Sequence, residues 1–352
     1  MSLGRAWLHD LPGKLDQAAR YGYEGIEVFF EDLEYYARTL PGGSTPANQI
    51  LAGHEIRQMC EDRRLAIINL QPFSQYDGLR DRSKHDERIA ELKLWFKIAR
   101  ALGTDLIQVP ASFLPEDQTT GDINVIVSDL QEISDLGAQY TPPFRFAYES
   151  LAWSTHIDTW EQSWDVVKRV DRPNFGLCLD TYNIAGRIYA DPNSPTGKTP
   201  NAEAVTKASI ERLIKDVDVK KVFFVQIVDG ERLDAPLVEG HPFYDADQPA
   251  RMSWSRNCRL FYGEQDRGAY LPVRELTTAF IHGIGFQGWV SMELFNRSMA
   301  DPSPDTPAEH ARRGAVAWAK MIKEVGLSVQ PKIQAPVQRV KTAVEPQMLS
   351  LL

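Results

Sequence analysis

The chain has 352 residues, of which 43% are hydrophobic and 25% charged, and it carries a formal net charge of −9. This is the composition of a globular protein that can bury a sizeable core, and the lack of a basic block argues against a nucleic-acid partner. No apolar run approaches the ~18 residues of a membrane span, and the N-terminal residues lack the pattern of a secretory signal. We therefore expect a cytoplasmic protein with no membrane partner.

The three cysteines, Cys60, Cys178 and Cys258, are far apart in the sequence. Their odd number and the lack of CxxC spacing argue against a disulfide framework and against a structural zinc site. The apolar neighbours of Cys178 are typical of a core residue. Cysteine usage therefore fits a reducing compartment.

Short apolar segments rich in β-branched and aromatic residues recur along the chain, separated by segments with helical periodicity. Their spacing of roughly 40 residues is that of one strand followed by one helix and its loops. In chain order, the predicted strands lie within residues 1–4 (the end of a first strand), 21–30, 65–73, 102–111, 145–153, 174–183, 221–229 and 288–296. Eight such units without a linker between halves predict one (β/α)8 TIM barrel of the α/β class rather than an open sheet. No glycine-rich nucleotide-binding motif follows any of these segments.

The domain organisation follows from this series. We expect residues 1–327 to form a single TIM-barrel catalytic domain, with an extended loop after the seventh strand. Residues 328–352 hold Pro331, Pro336 and Pro346 among polar residues and show no clean period. That composition predicts a C-terminal tail outside the barrel and is typical of disordered segments.

Polar side chains end four consecutive late strands of the predicted barrel. In a (β/α)8 barrel these ends form the mouth, where the chemistry takes place. Considered one at a time, each of these polar residues is more often a barrel-interior residue whose polar atoms hydrogen-bond with its neighbours. Three carboxylates on one rim repel each other unless a cation lies among them, and all-oxygen ligands suit Mg²⁺ or Mn²⁺ better than Zn²⁺. The sequence therefore predicts one divalent metal ion, held by Glu149, Asp180, Gln226 and Glu293.

The loop after the seventh predicted strand is rich in arginine between residues 249 and 270. A solvated basic loop is one interpretation. Trp254 and Leu260 between the arginines favour a packed loop, and guanidinium groups held by packing clamp carboxylates well. We therefore predict a small anionic substrate, with Arg259 as its clamp. The other predicted substrate contacts in this loop are Ser255, one helical turn from Arg259, and Arg251 and Arg256.

Three further residues are candidates on weaker grounds. His241 lies in the same loop and could act as an acid or base, although a lone loop histidine is more often a bystander. Gln71 and Tyr76, in "QPFSQYDG", leave the third predicted strand and could reach the mouth; Gln71 is kept as a predicted substrate contact. No Ser-His-Asp or Cys-His constellation can be assembled from motif spacing.

The chain resembles the xylose-isomerase-like, sugar-phosphate isomerase/epimerase superfamily of TIM barrels and, within it, the fungal 3-dehydroshikimate dehydratases of quinate catabolism. The resemblance runs from "MSLGR" to about Val325 and is carried by "LQPFSQYDGL", "NFGLCLDTYNIAGR", "ADPNSPTGKTPNAE" and "ARMSWSRNCRLFYGEQDRGAYLPV". It implies that the four strand-end residues are the family's metal ligands. It also implies a lyase that converts 3-dehydroshikimate to protocatechuate and water.

Two departures from the family qualify these expectations. Bacterial relatives tend to carry a histidine where this chain has Asn183, which can orient a hydroxyl but cannot take a proton at neutral pH. Asn183 therefore joins Arg259 and His241 as a catalytic candidate. The family's first strand begins some residues before "MSLGR", so we expect an incomplete first strand here.

Two alternatives remain open at this stage. One is a metal-dependent ketose isomerase or 3-epimerase of the same superfamily, with Glu149 and Glu293 as acid and base. The epimerase branch usually has His where this chain has Gln226, which favours the dehydratase. The other is a sugar-acid binding protein without catalysis. The sequence also leaves a homo-oligomer open.

Overall fold

The computed structural model describes residues 1–329. Within them, one seven-stranded sheet holds parallel neighbours in the order β1-β2-β3-β4-β5-β6-β9. Its strands are β1 Gly25–Phe29, β2 Ala66–Gln71, β3 Leu106–Pro110, β4 Arg145–Glu149, β5 Phe175–Asp180, β6 Val222–Gln226 and β9 Val290–Ser291. Two short antiparallel strands, β7 Asp229–Gly230 and β8 Arg259–Leu260, pair outside this sheet.

Helices follow the sheet strands, as the alternation in the sequence predicts. They are α1 Leu11–Arg20, α2 Phe30–Arg38, α3 Pro46–Asp62, α4 Arg82–Leu102, α5 Ile123–Ala138, α6 Trp160–Val170, α7 Thr181–Ile188, α8 Ala202–Asp216, α9 Ala250–Cys258, α10 Val273–Thr278 and α11 Thr306–Met321. Every residue of β3 and β5 is buried, because helices cover one face of the parallel sheet and the barrel interior lies on the other. In the described part of the chain, no helix is both long and apolar enough to cross a membrane.

Residues 1–4 do not form the first strand that the sequence predicts. They form a turn, in which the Met1 ammonium contacts Asp32 and the Ser2 hydroxyl accepts a hydrogen bond from the Leu294 amide. Asp32 and Leu294 follow β1 and β9, so these contacts hold the turn beyond the carboxyl ends of those strands. Within residues 1–329, β1 and β9 are therefore the two edges of the sheet.

A cavity of about 1270 Å³ opens at these two edges and extends to Glu27, Gln71 and Glu293. It connects the gap between the edge strands with the polar end of the barrel interior.

The long loop after β6 is packed, as its tryptophan and leucine suggested. It contains α9, whose Met252, Ser253, Trp254, Ser255 and Cys258 are buried. The predicted tail lies mostly outside the described residues, since only Ser328 and Val329 of it are included. The division into a domain of residues 1–327 and a tail stays a prediction.

Candidate active site

The four predicted metal ligands lie together at the carboxyl ends of neighbouring strands. Glu149, Asp180 and Gln226 are the last residues of β4, β5 and β6, and Glu293 follows β9 by two residues. The register pairs Asp180 with Gln226, which brings the strand ends level. All four side chains are buried, with between 0% and 8% of their surface exposed. The sequence located this cluster because parallel strands place their carboxyl ends on one rim.

Asn183, on the first turn of α7, joins two of the carboxylates. Its side-chain nitrogen donates to Glu149 Oε1 at 2.7 Å and to Asp180 Oδ2 at 2.8 Å, while its oxygen accepts from the Ala152 amide at 3.2 Å. Asp180 also caps α7 by accepting from the Tyr182 amide at 2.7 Å. Asn183 therefore positions carboxylates in this structure, and both ends of its amide group are used.

Arg259 lies inside the cluster and bridges two of its carboxylates. Its Nη1 donates to Asp180 Oδ2 at 2.9 Å and to Glu293 Oε2 at 3.0 Å. Its Nε donates to Ser255 Oγ at 3.0 Å, so Ser255, which the sequence predicted as a substrate contact, here holds the guanidinium. The guanidinium is stacked 4.5 Å from the Tyr182 ring centre. Among residues 1–329, Nη2 is left without a hydrogen-bond partner. Within the described residues, Nη2 is thus the one guanidinium nitrogen that the protein does not already use.

Burial gives the cluster an unusual electrostatic state. It raises the pKa of Glu293 to about 8, against the opposing effect of Arg259. Burial also raises the pKa of Asp180, again opposed by Arg259. The pKa of Glu149 is raised well above its usual value by burial and by repulsion from Asp180 and Glu293. One guanidinium thus does not balance the negative charge of these three groups.

The chemistry of this donor set fits a divalent cation. Three carboxylates and an amide oxygen are hard ligands of the kind that Mg²⁺ and Mn²⁺ prefer, and a cation would offset the uncompensated charge. In residues 1–329, no three His, Cys, Asp or Glu side chains are grouped as a preformed metal site. Arg259 Nη1 already bridges Asp180 and Glu293, so these carboxylates would have to rearrange around a metal ion.

Glu27, in the middle of β1, is a member of the cluster that sequence reasoning missed. Its carboxylate accepts from Asn69 Nδ2 and Gln71 Nε2, both at 2.9 Å, and from Gln226 Nε2 at 3.1 Å. Ser291 donates to it as well. An available signal was the acidic residue at the centre of the apolar segment "GIEVF".

Three predicted site residues lie away from the cluster. Arg251 donates to the backbone oxygens of Gly186 and Ala190, at 2.8 and 3.0 Å, and so fastens α9 to the end of α7. Arg256 is exposed on α9 and donates to Gln248. His241 contacts Phe243 within its own loop. The roles proposed for these three residues are not supported, because the path of the loop directs their side chains to other partners.

The remaining candidates divide between the site and the core. Gln71 contacts Glu27 and lines the cavity beside Glu293. Tyr76 is fully buried and donates to the backbone oxygen of Asp129 on α5, so it serves the packing of helices.

Comparison with known proteins identifies the family of the chain. Residues 15–321 match the family described as "Xylose isomerase-like TIM barrel", and the chain belongs to this family. It is 56% identical over 344 residues to the 3-dehydroshikimate dehydratase of Neurospora crassa, and the alignment covers 96% of each chain. The predicted resemblance to the fungal dehydratases is thereby confirmed.

Two further similarities are more distant. The chain is 31% identical over 306 residues to the 3-dehydroshikimate dehydratase of Pseudomonas putida, which covers 86% of this chain but 39% of that longer relative. A solved structure titled "IOLI protein with a binding zinc atom" matches with a TM-score of 0.67 and 19% identity, covering 90% of this chain and 94% of the other. At that identity the likeness concerns the fold.

Proposed function

We propose that the chain is a divalent-metal-dependent 3-dehydroshikimate dehydratase that forms protocatechuate and water. The observation that carries the proposal is a single buried guanidinium beside three carboxylate ligands, in a chain 56% identical to a named dehydratase. The ketone and hydroxyl of the substrate would bind a metal ion held by oxygen ligands, and the substrate carboxylate would bind the Arg259 guanidinium beside it. We propose Mg²⁺ or Mn²⁺ as the ion. Cytoplasmic quinate catabolism as the setting stays a prediction.

The reaction requires a proton to leave the carbon next to the ketone and a hydroxyl to leave the ring. The proton and the hydroxyl together make the one water molecule released, and tautomerisation of the remaining ring gives the aromatic product, so atoms balance without an oxidant. When bound at Glu149, Asp180, Gln226 and Glu293, the metal would supply a positive charge that stabilises the developing enolate oxygen. The protein has to bind the carboxylate, hold the ring and accept the proton.

The side chains of the site divide these tasks. Arg259 binds the substrate carboxylate through Nη2, while Ser255 and the Tyr182 ring fix the guanidinium. The proton acceptor is a carboxylate of the cluster. In residues 1–329, no histidine hydrogen-bonds with Glu149, Asp180 or Glu293, and Asn183 cannot take a proton at neutral pH. Burial favours such a role, because it raises the pKa of these groups above the ordinary carboxylate range.

The proposal is tested by mixing the protein with Mn²⁺ or Mg²⁺ and 3-dehydroshikimate and following the ultraviolet absorbance of a catechol acid. We expect product in a one-to-one ratio with consumed substrate. No product from protein with verified metal occupancy would contradict the proposal. Turnover of a free ketose without dehydration would instead select the isomerase or epimerase alternative.

A further inference from the structure

We propose that Glu27, which lies outside the proposed ligand set, is a positioning residue that fixes the orientation of the Gln226 amide group and thereby raises the affinity of the site for a divalent cation. This inference rests on the proposed metal site, of which Gln226 is a member.

Glu27 is surrounded by neutral donors from three other strands. Asn69 and Gln71 of β2 donate at 2.9 Å, Gln226 of β6 donates to both carboxylate oxygens at 3.1 and 3.2 Å, and Ser291 of β9 donates through its hydroxyl. Among the described residues, no Lys, Arg or His lies within ion-pair distance of this carboxylate. Glu27 is therefore an acceptor held in place by amides and a hydroxyl rather than by a cation.

An acceptor at this position leaves the Gln226 amide only one favourable orientation. Both Glu27 oxygens accept hydrogen bonds from every neighbour they contact, so the carboxylate acts as an acceptor and the Gln226 nitrogen faces it. If the amide rotated by half a turn, its oxygen would lie against two carboxylate oxygens, and the nitrogen would lose its partner. A buried polar atom left without a partner is costly, so the rotated orientation is disfavoured.

This orientation turns the Gln226 oxygen away from Glu27. Among the residues that the structure describes, that oxygen accepts only a weak contact from the Cys178 thiol, with 3.6 Å between sulfur and oxygen. A carbonyl oxygen has two lone pairs and a thiol is a weak donor, so the oxygen can still bind a cation. Glu27 thus ensures that the atom presented to the site is the oxygen and not the nitrogen.

The test measures Mn²⁺ binding by calorimetry on metal-free protein at fixed pH, so activity is not the readout. E27Q keeps the size of the side chain but offers both a donor and an acceptor, which allows the Gln226 amide to turn over. We expect its dissociation constant for Mn²⁺ to rise about 10- to 100-fold, the usual effect of removing a partner of a metal ligand. E24Q is the matched control, because it makes the same exchange at an exposed residue directly before β1 whose side chain does not hydrogen-bond with the cluster among the described residues, and we expect little change.

E27Q also removes a negative charge, and a double-mutant cycle separates this effect from orientation. If Glu27 acts through Gln226, E27Q should weaken binding much less in a Q226A background than in the wild type. An equal loss in both backgrounds would overturn the inference and assign the effect to charge alone. So would an unchanged dissociation constant for E27Q.

Failure of the underlying metal site would give a different result. In that case the wild type would not bind Mn²⁺, or Q226A would bind it as tightly as the wild type. Folding of each variant is checked by its melting temperature. If E27Q does not fold, E27D replaces it in the same cycle, because its shorter carboxylate moves away from the Gln226 nitrogen. Equal Mn²⁺ affinity of E27D and the wild type would then contradict the inference.

Discussion

Replacing Arg259 by lysine tests the proposed substrate contact, because lysine keeps the charge and removes the planar donor group. Arg259 uses Nε for Ser255 and Nη1 for Asp180 and Glu293, which leaves Nη2 for a substrate carboxylate. A lysine ammonium can approach the two carboxylates, but it cannot also reach Ser255 and the substrate. The variant should therefore fold and retain metal while losing the substrate contact.

The size of the effect follows from the bonds that are lost. A hydrogen bond to a charged group contributes about 1.5–3 kcal/mol, and part of the loss is recovered by the mobile ammonium. We therefore expect kcat/KM for 3-dehydroshikimate to fall by about 5- to 150-fold, which corresponds to about 1–3 kcal/mol of transition-state binding. The assay uses saturating Mn²⁺ and checks metal content separately.

Arg256→Lys is the matched control. Arg256 lies on α9, three residues before Arg259, but it is exposed and bonded to Gln248, so its replacement should leave kcat/KM unchanged. An Arg259→Lys enzyme with wild-type kcat/KM at full metal occupancy would refute the proposed contact. An equal fall in kcat/KM in both variants would show that a disturbed loop, and not the loss of the Arg259 guanidinium, reduces activity.

Three further predictions concern the carboxylates. Asp180→Ala or Glu293→Ala should abolish dehydration and lower the content of bound metal, measured by elemental analysis. A chelator should have the same effects reversibly, and full activity after verified metal removal would contradict a metal-dependent reaction. Asn183→Ala removes the donor that joins Glu149 and Asp180 and should reduce both metal affinity and kcat, whereas unchanged values would exclude a positioning role. Burial raises the pKa of Glu293 to about 8 in the folded metal-free protein, whereas the unfolded chain releases this proton above about pH 4.5. The contribution of Glu293 to the stability of the fold therefore falls as pH rises from about 4.5 to 8. Added Mn²⁺ should then raise the melting temperature more at pH 8 than at pH 6, and an equal rise at both values would argue against Glu293 as a ligand.

The parts of the site that the sequence predicted are those fixed by regular structure. Glu149, Asp180 and Gln226 end parallel strands, and the strand register alone brings such ends together. Ser255 and Arg259 are four residues apart, and α9 with the residue after it places them on one side. In both cases a local period determines which side chains are neighbours.

The residues that the sequence misplaced depend on contacts between distant segments. Arg251 has the same spacing from Ser255 as Arg259 has, yet it turns to the carbonyl groups at the end of α7. His241 lies in a loop whose path no periodicity determines. Glu27 was overlooked because its partners come from β2, β6 and β9, and nothing in "GIEVF" shows that these donors surround it. The first strand was wrong because tertiary contacts of Met1 and Ser2, rather than local propensity, fix residues 1–4.

The type of donor around the carboxylates distinguishes a metal site from a buried network that only stabilises the fold. A buried charge costs several kcal/mol unless it is compensated, so a purely structural network would pair its carboxylates with cations. In residues 1–329, Arg259 is the one cation that pairs with this cluster, and the other donors are neutral side chains: Asn69, Gln71, Gln108, Asn183, Gln226 and Ser291. Neutral donors orient carboxylate oxygens without cancelling their charge. The ionised cluster is therefore short of positive charge, which is why burial raises the pKa values of Glu149 and Glu293, and a bound divalent cation would supply that charge in place of protons.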